Sequence, residues 1–131
     1  MTYDARKAAI EILNNLDQGH ATLDNLLEEV NAKGTIISRR DRALFQALVF
    51  GVLRWRGRLD FIINHFSSTR FDKIDPPVLN ILRLALFQII YLDRVPESAA
   101  VNTAVELAKT TVAPWVAGFV NALLRKAARE H

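Results

Sequence analysis

The stretch Asp75-Pro76-Pro77-Val78-Leu79-Asn80-Ile81-Leu82-Arg83-Leu84-Ala85-Leu86-Phe87-Gln88-Ile89-Ile90-Tyr91-Leu92 decides how this chain folds. Asp75 is a capping residue and a proline suits the first turn, so a helix is expected over about 76–92. It is apolar on nearly every side, and only Asn80, Arg83 and Gln88 interrupt the run from Val78 to Leu92. The run is too short to span a bilayer. A helix without a polar face has to be covered all round, which places this one at the centre of a helical bundle. Leu82, Leu86 and Ile89 are accordingly expected to be deeply buried.

Working outward, the remaining segments supply amphipathic helices to cover it. Arg94-Val95-Pro96 ends the central helix, and Ser98 is expected to cap the next, which turns Val101, Ala104, Val105 and Ala108 inward. Pro114 opens the last helix, with Val116, Phe119, Val120, Leu123, Leu124 and Ala127 as its buried stripe. Toward the N-terminus, Ala5, Ala8, Ala9, Ile12, Leu13 and Leu16 repeat at the spacing of one helical face. Thr2 is a candidate cap for that helix with Asp4 in its first turn, and Gly19 ends it. A second helix is expected over about Thr22–Asn31, burying Leu23, Leu26, Leu27 and Val30 and closed by Lys33-Gly34. Ser38-Arg39-Arg40-Asp41 reads as a capping-box start. Leu44, Phe45, Leu48, Val49, Val52 and Trp55 then share a broad face, which Leu59, Ile62, Ile63 and Phe66 continue. A kink or break is expected at Gly57, and a polar loop over 67–75. The expected fold is all-α: one domain over 1–131, a bundle of about seven helices with short connections.

Composition removes most enzymatic readings. Half the residues are apolar and 24% are charged, too few charges for a disordered chain. There is no cysteine, hence no disulfide, thiolate metal site or cysteine nucleophile within these residues. The five glycines are scattered and form no phosphate loop. His20, His65 and His131 pair with no carboxylate at ligand spacing, so structural roles are expected and no metal. Glu28 and Glu29 are adjacent on a helix and point apart, as on a solvated face. The hydroxyls have no base beside them to activate them. Neither catalysis nor a bound cofactor is expected of this chain. Its start, Met1-Thr2-Tyr3-Asp4-Ala5-Arg6-Lys7, has no apolar stretch before a cleavage site, so a cytoplasmic location away from membranes is expected.

The formal net charge is only +3, but it is unevenly spread. Residues 1–38 hold three Lys/Arg against six acids, 39–58 hold six arginines against Asp41 alone, and 114–131 hold three Lys/Arg against Glu130. The latter two segments should carry a positive field. At about 100° per residue, Arg40, Ala47, Gly51, Arg54 and Arg58 share one strip of an unbroken helix. Small residues between arginines let a phosphate backbone approach. They equally let another helix pack, and both readings stay open. Gly118, Asn121, Ala122, Arg125 and Arg129 share a comparable face of the last helix. Trp55, between Arg54 and Arg56, could stack on an unpaired base, but its spacing puts it on the apolar face, so core packing is the expectation.

Three stretches together resemble a known family: Asp41-Arg42-Ala43-Leu44-Phe45-Gln46 through Gly51-Val52-Leu53-Arg54, Val95-Pro96-Glu97-Ser98-Ala99-Ala100-Val101-Asn102-Thr103-Ala104-Val105-Glu106-Leu107-Ala108-Lys109, and Phe119-Val120-Asn121-Ala122-Leu123-Leu124-Arg125-Lys126. They are similar to the NusB family across nearly the whole chain. Gly51-Val52-Leu53-Arg54-Trp55-Arg56-Gly57-Arg58-Leu59-Asp60 and the Asn-x-Leu-Leu-Arg ending at Arg125 look most like the NusB-like N-terminal domain of Sun/RsmB-type ribosomal RNA methyltransferases. There, such a domain precedes a Rossmann-type domain that binds S-adenosylmethionine and methylates cytosine C5 through a cysteine. The resemblance implies a non-catalytic RNA-binding domain whose partners are RNA, expected to be ribosomal, and its own C-terminal catalytic domain, with the cofactor held there. Two alternatives accompany it: a free-standing antitermination factor that binds RNA and a ribosomal protein, and a protein-interaction or dimerisation module. Free-standing NusB proteins resemble one another in an arginine-rich N-terminus that helps bind RNA, for which only Arg6 and Lys7 stand here. Arg125 replaces an acid frequent in free-standing NusB, which favours the methyltransferase subgroup. The expected RNA-binding residues are Arg6, Lys7, Arg40, Arg54, Arg58, Asn121, Arg125 and Arg129.

Overall fold

The computed structural model describes residues 5–19, 21–34 and 38–130, and among them it is helical with no strand. Six α-helices follow one another: α1 (Ala5–Gln18), α2 (Leu23–Lys33), α3 (Arg39–Phe66), α4 (Pro76–Tyr91), α5 (Glu97–Thr111) and α6 (Ala117–Glu130), with 3₁₀ turns at Phe71–Lys73 and Pro114–Val116. The count is six and not the expected seven because 39–66 runs on as one element, α3, across a kink that does not separate it into two. Gly57 lies inside it and does not end it. A single helical glycine costs only about 1 kcal/mol relative to alanine, and the flanking Val52, Leu59 and Ile63 are buried along one side. The interruption falls two residues earlier, at Trp55, where φ is −103° and ψ is 16°. No described helix is long and apolar enough to cross a membrane.

The chain divides into two compact units, Met1–Gly51 and Val52–His131. In the first, α1 buries Ala5, Ala8, Ala9, Ile10, Ile12 and Leu13 and packs against α2. Gly19 stops α1 at a φ of 75°, its N–H donating to the Leu16 carbonyl. The Thr22 hydroxyl caps α2 by accepting from the Asn25 N–H at 3.1 Å. Gly34, at a φ of 64°, closes it by donating to the Asn31 carbonyl. Of the four expected core residues of α2 only Leu26 is fully buried; Leu23, Leu27 and Val30 are half-buried, because α2 is covered on a narrower stripe than its periodicity suggests. The Ser38 hydroxyl accepts from the Asp41 N–H at 2.9 Å, the expected start of α3. Thr2, Asp4, His20 and His131 lie outside the described residues.

In the second unit α4 is buried without a break from Val78 to Gln88. Leu82 and Leu86 are fully covered, whereas Ile89, in the last turn, is half-buried. Both α5 and α6 pack on α4, and on each other. Asp75 stands at the N-cap of α4 but makes no side-chain cap bond. Pro76 and Pro77 have no N–H, so part of the usual need for a cap is missing, and the Asp75 carbonyl accepts from Val78 and Leu79. Two expected starts shift slightly. Pro96, not Ser98, holds the N-cap position of α5, since its fixed φ suits the entry and Ser98 falls within the first turn. Pro114 opens a 3₁₀ turn that leads into α6 at Ala117. The loop 67–75 holds the other 3₁₀ turn and one buried apolar residue, Ile74.

The polar interruptions of α4 are internally satisfied. The Arg83 guanidinium is 3% exposed and grips Asp60 of α3 with two bonds, Nε to Oδ1 at 2.6 Å and a terminal nitrogen to Oδ2 at 3.0 Å. Its other terminal nitrogen donates to Asn80 Oδ1 at 2.9 Å. Gln88 Nε2 donates to the Leu84 carbonyl at 3.0 Å. No buried side-chain polar atom among the described residues lacks a partner, as a dry core requires.

Candidate nucleic-acid interface

The expected site residues fall on three helices, α1, α3 and α6, and belong to both units. Arg6, half-buried, and Lys7, exposed, lie on α1, and Arg40 is exposed in the first turn of α3; all three belong to the first unit. Between the strip's arginines, Ala47 is exposed and Gly51 half-buried. Arg54 and Arg58 belong to the second unit, where Arg54, Arg56 and Arg58 are all exposed. The non-helical residue Trp55 sits between Arg54 and Arg58, so the regular rotation that defined the strip does not hold through it. No acid occurs between Asp41 and Asp60, and the Asp60 carboxylate is already engaged by Arg83. This stretch of α3 carries Arg42, Arg54, Arg56 and Arg58 and no acid of its own.

Trp55 departs from the expected core position. It is 36% exposed, and one indole face stacks on Tyr91 with centroids 4.9 Å apart and planes at 15°. Tyr91 in turn stacks on buried Phe87 at 5.5 Å and 30°. The Arg54 guanidinium carbon lies 5.4 Å from the indole centroid, within cation–π range. The interruption of regular helix at Trp55 removes it from the face that its spacing assigned. The Phe87–Tyr91 pairing, one turn apart at i and i+4, was readable in the sequence. Its meeting with Trp55 was not, because no local spacing links residues 55 and 91.

On α6, Asn121 is half-buried and Gly118, Ala122, Arg125 and Arg129 are exposed. Asn121 does not point free into solvent: its Oδ1 accepts from Arg125 Nε at 2.9 Å and orients that guanidinium. Arg125 and Arg129 line a shallow cleft of about 300 Å³ together with Glu97 and Ser98 from the start of α5 and Val101 and Ala128. The structure thus brings Asn121, Arg125 and Arg129 into one arrangement, and leaves Arg54 and Arg58 in another on α3. His65 is exposed, edge-on to Phe66 at 4.7 Å. No group of three or more His, Cys, Asp or Glu among the described residues could hold a metal ion.

Comparison with known proteins gives this geometry a context. The NusB family matches residues 3–129. The chain is 38% identical over 125 residues to the probable ribosomal RNA small subunit methyltransferase B of Bacillus subtilis (strain 168), covering 95% of this chain and 28% of that protein. It thus spans little more than a quarter of the length of that methyltransferase. It is 30% identical to the transcription antitermination protein NusB of Oceanobacillus iheyensis, covering 95% of each. Among solved structures, one of the antitermination factors NusB and NusE in complex with dsRNA superposes with a TM-score of 0.85 at 24% identity, over 97% of this chain and 95% of that one. A T. maritima NusB structure superposes at 0.84 with 20% identity, over 100% of this chain and 94% of that one. Carrying the family pattern along nearly its whole length and the same arrangement of helices, the chain belongs to the NusB family.

Proposed function

We propose that residues 1–131 form a single NusB-like RNA-binding domain that serves a ribosomal RNA cytosine-C5 methyltransferase in the cytoplasm and is not itself catalytic. The observation that carries the RNA reading is the acid-free, exposed arginine stretch Arg54, Arg56 and Arg58 on α3. The α6 pair Arg125 and Arg129 supports it, and Arg6, Lys7, Arg40 and Asn121 contribute less. Guanidinium groups suit phosphates through their planar fork of donors. The methyltransferase assignment is supported by the 38% identity to the Bacillus subtilis relative. On this reading S-adenosylmethionine and the nucleophilic cysteine belong to a catalytic domain that is this domain's partner.

A free-standing antitermination factor that binds RNA and a ribosomal protein is the second reading, favoured by the relative that matches end to end at 30% identity. The gene separates the two: a reading frame continuing into a domain with a Pro-Cys motif supports the first, and a stop codon near His131 the second. RNA binding itself is tested by salt titration of ribosomal RNA fragments against wild type and an Arg54→Ala/Arg125→Ala double variant. Log affinity should fall linearly with log salt, by about 0.7 per phosphate contact on a single strand. The double variant should lose roughly two contacts of slope and weaken different RNAs alike, since phosphates carry no sequence. Equal affinity and slope for both proteins would reduce the arginines to a solvated face and bring the protein-interaction module forward.

A further inference from the structure

An aromatic ladder ends at Trp55. Phe87 is buried, Tyr91 half-buried and Trp55 exposed, so the three rings run from the interior of the second unit to its surface. The inner indole face is fixed by Tyr91 at 4.9 Å. Side-chain freedom that a surface tryptophan ordinarily loses on binding is therefore already lost in the free protein. The Arg54 guanidinium lies over the ring, 5.4 Å from its centroid, and Arg56 and Arg58 follow along the chain. A flat, pre-oriented ring bordered by cations is the combination that receives an unpaired nucleotide: the base stacks on the ring and the cations take its phosphates. A duplex hides its base faces and offers phosphates alone.

We propose that Trp55, backed by Tyr91 and Phe87, is a stacking platform for one unpaired RNA base, with Arg54 and Arg58 engaging the flanking phosphates. This deepens the RNA-binding reading above and rests on it, and it specifies the substrate as a single-stranded segment. Arg54 leaves its place over the indole when the base arrives, exchanging a cation–π contact for a charge-assisted phosphate contact.

The chain has two tryptophans, Trp55 and Trp115. A Trp115→Phe protein leaves Trp55 as the only indole emitter, and it is titrated with a short single-stranded fragment of small-subunit ribosomal RNA and with a duplex of the same length. The single strand should quench Trp55 saturably, and the duplex should leave its emission unchanged. In parallel, Trp55→Leu should weaken single-strand binding about 5- to 150-fold, the range of one base–aromatic stack. Its salt slope should stay that of wild type, and Trp55→Phe should recover most of the affinity. If Trp55→Leu fails to fold, the quenching comparison decides alone. Salt-dependent RNA binding with unquenched Trp55 overturns the platform and leaves the RNA-binding reading standing, as does an unchanged affinity in a folded Trp55→Leu protein. Absence of any RNA binding by the wild-type chain overturns both.

Discussion

Arg83 shows how one side chain can reverse its apparent meaning. In the sequence it interrupts an apolar run. In the fold it is buried and held by both Asp60 oxygens and by Asn80, so it fastens α3 to α4 just beyond the exposed arginines. Removing one partner of such a pair strands the other charge. Asp60→Ala should therefore cost about 3–5 kcal/mol, nearer the lower figure because the Asp60 side chain is 26% exposed and water reaches it. Urea denaturation of the variant measures this. Replacing both partners by apolar residues, Asp60→Leu with Arg83→Met, should recover most of the loss, because no stranded charge remains. Asn121 works on a smaller scale. It accepts from Arg125 Nε on the surface, so Asn121→Ala should lower RNA affinity less than Arg125→Ala does and leave the salt slope unchanged. A slope change equal to that of Arg125→Ala would mean that the amide itself takes a phosphate contact.

At the level of the helix, α4 carries the second unit. Its buried residues have no solvent side to relax toward, so a methylene deleted there leaves a cavity. Leu86→Ala should cost about 2–5 kcal/mol, read from the shift in denaturation midpoint. A loss below about 1 kcal/mol would mean that the helix is not enclosed. In the first unit the corresponding weak point is a helix end. Gly34 closes α2 at a φ of 64°, with open space where a Cβ would stand. Gly34→Ala should therefore cost about 1–2 kcal/mol through backbone conformation alone, with no clash to add to it. The surface pair Glu29–Lys33, at 3.6 Å and well exposed, should by contrast contribute well under 1 kcal/mol, and Lys33→Ala is the control.

At the scale of the whole chain, function divides between what these residues hold and what they lack. They contain no cysteine and no glycine-rich cofactor loop, so titration calorimetry with S-adenosylmethionine should show no stoichiometric binding to this chain, and no methyl transfer to RNA should occur without a catalytic partner. Stoichiometric binding would overturn the division of labour proposed between this domain and a methyltransferase domain. The candidate interface is likewise distributed. Arg40 and the α1 cations belong to one compact unit, and the Arg54–Arg58 stretch and the α6 cleft to the other.

The sequence by itself determined the helices. Thr22, Ser38, Gly19 and Gly34 bound them through hydrogen bonds and dihedral angles that involve neighbours three or four residues away, and the apolar periodicity named most of the faces they bury. The largely apolar run 76–92 likewise placed α4 in the core, because a helix without a polar face has to be covered all round. The break of the helical strip between Arg54 and Arg58, the exposure of Trp55 and the pairing of Asp60 with Arg83 were decided only by tertiary structure. Each depends on a partner in another helix or on a local departure from helical dihedrals. Ideal rotation assigned Trp55 to the core. The interruption of the helix at Trp55 and the arrival of Tyr91 from α4 placed it at the surface instead, because ring stacking and side-chain burial are settled between elements, at distances that no periodicity within one of them encodes.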